Sequence, residues 1–314
     1  MKTSFRCLIA LGFLLCLASV LGAQSLSPRA YVITPVGSNA VTVSWDIDTG
    51  AIQFNNTAPI AGASGTINAF LPTYYHALSL CGRSANVLVG LPYAVGTFQG
   101  LVVGREESVY RSGLDDGFLR FSVNLKGGPA MKTPQFAKWK QKTLLGVSLF
   151  VQAPTGQYDP TKLINIGTNR WAFKPEFGYS QSWGHWVLDA YAAVWFFTTN
   201  PEFFSHNPIF PGTNVQTQAP LGAFEGHLSY DFKPRLWASL DGNFYFGGET
   251  RFNGVPSPTT RQQNSRVGIT VSIPFSKHQA VKVAYSNGAY VRFGGDFQAV
   301  SIGWQYSWIG KHFR

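Results

Sequence analysis

Residues 300 to 308 read VSIGWQYSW, with Val300, Ile302, Trp304, Tyr306 and Trp308 on one register and Ser301, Gly303, Gln305 and Ser307 on the other. Successive side chains of a strand point to opposite faces, so this is a strand with one large apolar face and one small polar face. The alternation recurs upstream. Val41, Val43, Trp45 and Ile47 interleave with Thr42, Ser44 and Asp46; Leu119, Phe121, Val123 and Leu125 interleave with Arg120, Ser122 and Asn124; Val267, Ile269, Val271 and Ile273 interleave with Arg266, Thr270 and Ser272. About a dozen such stretches follow one another, which is the pattern of a barrel whose outer face meets lipid.

The first residues agree with export. Lys2 and Arg6 precede an apolar run from Cys7 to Leu21, and Gly22 and Ala23 are small. This predicts a signal peptide over residues 1–23, leaving 24–314 as a single outer-membrane β-barrel domain. Cys7 and Cys16 depart with the signal, so Cys81 remains alone and no intramolecular disulfide is expected.

Charged residues make up 13% of the chain and aromatic residues 15%, where a soluble domain carries roughly a quarter charged. Mean hydropathy is +0.00, and no later segment has the roughly 20 apolar residues of a spanning helix, so a membrane crossing has to be made by strands. The net charge of +10 falls to +8 once Lys2 and Arg6 leave. Its bases are scattered singly along the chain, which argues against nucleic acid and for an anion-attracting lumen or basic rims against lipid headgroups.

These features predict an all-β fold: a transmembrane antiparallel up-and-down β-barrel of about 12 strands with long outer loops and short periplasmic turns. Short connectors are expected at Cys81 to Ser84, Trp183 to His185, Lys233 to Arg235 and Ser276 to His278. Long ones are expected at Asp48 to Asn68, Gly104 to Asp116, Ala153 to Thr168, Thr198 to Asn214 and Gly247 to Arg261. Gly127 to Trp139 breaks the rule, being long on the short-turn side; Pro134 suits the first turn of a short helix, and the segment reads as a lengthened turn or a periplasmic flap. The stretch PEFFSHNPIFPG, within Thr199 to Pro220, is apolar enough to fold inward as a constriction.

Trp45, Trp171, Trp186, Phe232, Phe246, Trp304 and Trp308 fall near strand ends on the outer register, as interfacial girdles do. The opposite register supplies the candidate lumen-lining residues Arg120, Lys174, Glu176, Asp189, Trp195, Glu225, His227, Trp237, Asp241, Tyr245, Arg266 and Lys282. Trp195, Phe197, Trp237 and Tyr245 are unneeded in a purely aqueous pore and suit weakly polar or aromatic solutes. His227 beside Glu225, Asp231 and Asp241 could bind a metal or act as acid and base, but inward charge pairs are expected in any water-filled barrel, and that reading is preferred. No nucleophile elbow, zinc motif or phosphate loop occurs, so no catalytic residue, cofactor or metal is assigned.

The stretch from Leu144 to Phe204, LLGVSLFVQAPTGQYDPTKLINIGTNRWAFKPEFGYSQSWGHWVLDAYAAVWFFTTNPEFF, resembles the bacterial outer-membrane family described as putative MetA-pathway of phenol degradation. PRAYVITPVGSNAV, CGRSANVLVGLPYAVG, RFSVNLKGGPAM and NSRVGITVSIPF resemble it too. The resemblance implies a transporter-like β-barrel associated by name with aromatic-compound degradation, and brings no catalytic motif. Many such barrels end on an aromatic residue, whereas this chain ends His312, Phe313, Arg314, leaving Trp308 and Phe313 as alternative signals for the barrel-assembly machinery.

The expectation is therefore a non-enzymatic channel or transporter in the cell outer membrane for passive passage of small aromatic or weakly polar molecules. Its partners would be the lipid bilayer, small aromatic or hydrophobic solutes and the assembly machinery. The alternatives are a lipid-modifying enzyme using His227 and its carboxylate neighbours, and a structural or adhesive barrel acting through its loops.

Overall fold

The computed structural model describes residues 26–53, 60–102, 104–208 and 210–310. The expected signal peptide and the final His312, Phe313 and Arg314 lie outside the described residues. The strands are β1 (Ser38–Gln53), β2 (Ile60–Leu80), β3 (Arg83–Gly90), β4 (Tyr93–Val102), β5 (Arg105–Leu114), β6 (Phe118–Lys126), β7 (Thr143–Gln152), β8 (Ala172–Trp183) and β9 (Trp186–Phe197). They continue with β10 (Gln216–Gln218), β11 (Leu221–Lys233), β12 (Leu236–Gly247), β13 (Thr250–Phe252), β14 (Val255–Ser257), β15 (Gln262–Pro274), β16 (Gln279–Val291) and β17 (Gly294–Ile309).

Each wall strand pairs antiparallel with its neighbours, and β1 closes the ring by pairing with both β2 and β17. The VSIGWQYSW stretch lies at that seam, with Tyr306 opposite Val41 and Ile302 opposite Trp45. β3 and β4 both pair with β2 and form one wall strand interrupted at Leu91 and Pro92, where proline has no N–H for the ladder. β5 and β6 continue one another in the same way, pairing with β4 and β3, so the closed barrel has twelve strands.

Neighbouring residues of one strand report the two faces. Leu240 is 64% exposed while Asp241 is 6% exposed, the reverse of a soluble protein and the arrangement lipid demands. Trp45, Trp171, Trp186, Phe232, Phe246 and Trp304 are all exposed on the outer face, as expected of girdles. From Trp186 to Phe196 is ten residues, which at about 3.3 Å per residue and a tilt of about 40° gives a band near 25 Å tall.

The short connectors are where the sequence places them. Gly127 to Trp139 contains a short helix, α1 (Thr133–Phe136), with Pro134 in its first turn. Two expected loops are corrected: most of Asp48 to Asn68 is strand, because β1 runs to Gln53 and β2 begins at Ile60, and most of Gly104 to Asp116 is β5. Above the bilayer nothing selects an apolar face, so residues such as GASGT and REESVYRSG form strand without alternating. Gly247 to Arg261 likewise holds β13 and β14, which join β10 in a separate three-stranded sheet. The apolar loop after β9 is covered by other loops: Phe203 and Phe204 pack with Phe252, Leu163 and Phe210.

Candidate functional site

The barrel interior is occupied by the segment that precedes β1. The Arg29 N–H donates to Asp189 Oδ2 at 3.2 Å, and the Ala30 N–H donates to the Tyr191 hydroxyl at 3.0 Å. The Tyr31 hydroxyl donates to Glu176 Oε1 at 3.0 Å and meets Ser148 Oγ at 3.1 Å. Arg120 and Asn124 donate to the Ala30 and Tyr31 carbonyls. Gly146 and Gly178 make room for the Tyr31 ring, since a Cβ at either would overlap it. Arg29 pairs with Asp231 at 2.8 Å and lies 4.5 Å from the centre of the Trp237 ring.

Around this segment, alternation and antiparallel register align polar side chains from several strands. Asp189 of β9, His227 of β11 and Asp241 of β12 stand directly opposite one another across the ladder. His227 Nδ1 is 2.8 Å from Asp241 Oδ1, its Nε2 is 3.5 Å from Glu225 Oε2, and Thr270 donates to the other Asp241 oxygen at 2.6 Å. Lys174 Nζ lies 3.0 Å from Glu176 and 3.8 Å from Glu225, and Arg120 lies 3.2 Å from Glu176. A continuous line of charge thus links β6, β8, β11 and β12, and the Thr270 hydroxyl of β15 ends it. Burying such groups is tolerable because each charge has a partner of opposite sign.

The remaining candidates sit outside that line. Arg266 donates to Ser286 Oγ at 2.9 Å, and Lys282 is exposed on β16 with no ion-pair partner among the described residues. Trp195 and Tyr245 are buried on the inner wall with Ala172, Leu221 and Ala223, against Phe150 and Phe197. These aromatic rings form a chain: Phe118 to Phe150 at 4.9 Å, Phe150 to Trp195 at 5.4 Å and Trp195 to Phe197 at 6.2 Å between centroids. Lys174 Nζ is 5.4 Å from the Trp195 ring centre, within cation–π range. The Trp195 indole N–H is buried with no hydrogen-bond partner among the described residues.

On the opposite side of this wall, a crevice of about 490 Å³ opens between Val147, Pro175, Phe177, Ala192, Phe224 and Phe246. It reaches Ser148 and Glu176, because the small residues Ala192, Ala193 and Gly222 thin the wall there. Pro175 contributes by lacking a ladder donor inside β8.

Residue patterning does not assign Arg29 and Tyr31 to the lumen. Two signals point there: a base and a tyrosine just before the first strand, and glycines at 146 and 178 on an otherwise side-chain-bearing inner register.

The model of the family described as "Putative MetA-pathway of phenol degradation" matches residues 32–302. Among curated proteins, none matches the chain. Among solved structures, the chain is similar to the COG4313 outer membrane channel from Pseudomonas putida F1, at 18% identity and a TM-score of 0.77, covering 90% of this chain and 100% of that one. It is also similar to the transport unit of the autotransporter AIDA-I from Escherichia coli, at 11% identity and a TM-score of 0.50, covering 98% and 97%. At these identities the likeness is one of fold.

Proposed function

Because the chain belongs to the family described as putative MetA-pathway of phenol degradation, we propose that it is a passive outer-membrane channel for small aromatic or weakly polar molecules. It resides in the outer membrane, with residues 1–23 as its export signal and residues 24–314 as the single mature domain. The observation that carries the solute class is the inner aromatic wall of Phe150, Trp195, Phe197 and Tyr245 with an unpartnered indole N–H. A solute ring can stack on the half-buried Phe150 and Phe197 rings of this wall, and a weakly polar substituent that reaches the Trp195 N–H can accept from it. The lumen charges serve as structural pairs.

The proposed channel is non-enzymatic. His227 meets two carboxylates and the Tyr191 ring, and among the described residues no hydroxyl or thiol is hydrogen-bonded to its imidazole, so a nucleophile–base pair is missing. β17, which carries Trp304, Tyr306 and Trp308, is the segment the barrel-assembly machinery would read.

Vesicles containing the purified protein test the proposal. 4-Hydroxybenzoate, an aromatic solute whose carboxylate charge keeps it out of a bare bilayer, should enter them faster than protein-free vesicles, and Trp195→Ala should slow that entry at least several-fold. Equal entry with and without protein refutes the reading, and heat-modifiable gel migration checks that the variant is folded.

A further inference from the structure

The bases of this chain are distributed unequally between its two ends. At the short-turn end, a base follows the last lipid-facing apolar residue within three positions on four of the five turns: Leu80 then Arg83, Leu125 then Lys126, Phe232 then Lys233, and Phe275 then Lys277; the fifth, after Trp183, carries His185, whose ring stacks on Tyr230. The flap between β6 and β7 adds exposed Lys132, Lys138, Lys140 and Lys142 around the stacked rings of Phe136 and Trp139, 6.1 Å apart. None of these lysines or Arg83 is in an ion pair among the described residues. The carboxylate at this end, Asp231, is already held by Arg29 at 2.8 Å. At the other end charges balance, with Glu106, Glu107, Asp159, Glu202 and Glu249 against Arg105, Lys162, Arg251, Arg261 and Arg292.

We propose that the periplasmic rim is a binding surface for the anionic phospholipid headgroups of the leaflet surrounding it. Three features favour that occupant over a soluble acidic partner. The bases lie on turns spaced right round the barrel, and a leaflet surrounds a barrel whereas a docking protein covers one patch. Each lies just beyond an apolar side chain already in lipid, which sets its height at the phosphates. The neighbouring rings of Trp183, Trp186 and Trp304 occupy the interfacial level from which a lysine reaches a phosphate. Ammonium groups donate to the non-ester oxygens of a phosphodiester, and a headgroup without a compensating amine leaves that charge unmatched. The rim would bind lipid in this way whichever solute crosses the lumen.

The test uses the full-length protein in phosphatidylcholine bilayers with spin-labelled phosphatidylglycerol or phosphatidylcholine, reading the fraction of lipid immobilised at the protein. Phosphatidylglycerol should be preferred by roughly three- to tenfold at low salt, and the preference should shrink near 1 M salt. The variant Lys126→Gln, Lys233→Gln, Lys277→Gln removes three exposed bases without ion-pair partners and should lower the ratio about twofold, with the flap lysines and Arg83 retaining the rest. The outer-end variant Arg105→Gln, Arg251→Gln, Arg261→Gln should keep it. Equal association of both lipids with the parent protein, or equal loss in both variants, overturns the proposal. So does tight binding of a poly-glutamate peptide without any lipid preference, which would assign the rim to a soluble partner.

Discussion

Truncating Tyr31 to alanine should release the segment that fills the lumen. The side chain is 1% exposed, its ring sits 5.3 Å from that of Tyr191, and its hydroxyl meets a carboxylate at 3.0 Å. Removing a packed aromatic costs about 3–5 kcal/mol, which already includes loss of contacts on both sides. If only the docked state of residues 26–37 loses this energy, 3 kcal/mol shifts the docked-to-released equilibrium by about two orders of magnitude. Tyr31→Phe keeps the ring and loses the hydroxyl's bonds to Glu176 and Ser148, a cost of about 1.5 kcal/mol or roughly tenfold. Single-channel recording in planar bilayers reads the outcome as open probability, expected to rise from parent through Tyr31→Phe to Tyr31→Ala. Traces indistinguishable among the three would refute the reasoning, as would a phenylalanine variant more open than the alanine one.

Glu176 pairs with both Arg120 and Lys174, so Glu176→Ala strands Arg120, leaves Lys174 only the longer contact to Glu225, and should destabilise the barrel by about 3–5 kcal/mol, seen as a lower heat-modification temperature. Leu240→Arg places a charge on the lipid face and should cost about 2–4 kcal/mol in a refolding titration, whereas Leu240→Phe should be close to neutral. Asp116 accepts from Gln152, the Gly156 N–H, and the Thr168 N–H and hydroxyl. Asp116→Ala should therefore loosen residues 153–171, read as faster cleavage of that loop by protease added outside intact cells.

The wall of the barrel was legible because lipid imposes a strict rule on it. β15 and β17 show their lipid faces as alternate series of large apolar side chains, and the other wall strands follow the same period with small residues such as Ala192, Gly226 and Gly242 interspersed. β4 and β5 stand partly beyond that rule, so residues 105–114 read as loop from their polarity and are strand in fact. The charge line was legible only as a set of residues. Period-two patterning places His227 and Asp241 on the inner face, but it is the register between β11 and β12 that brings them opposite one another. The N-terminal segment escaped altogether, because an irregular stretch has no periodicity and its partners, Ser148 and Glu176, are more than a hundred residues away.

The enclosure of Tyr31 constrains how the protein is made. Residues 26–37 join β1 at its short-turn end, so they can reach the interior either before Val41 zips to Tyr306 or by folding back through that open end afterwards. In both cases their partners Ser148, Glu176 and Asp189 lie side by side only once β7, β8 and β9 are in register, so filling of the lumen waits on that part of the wall.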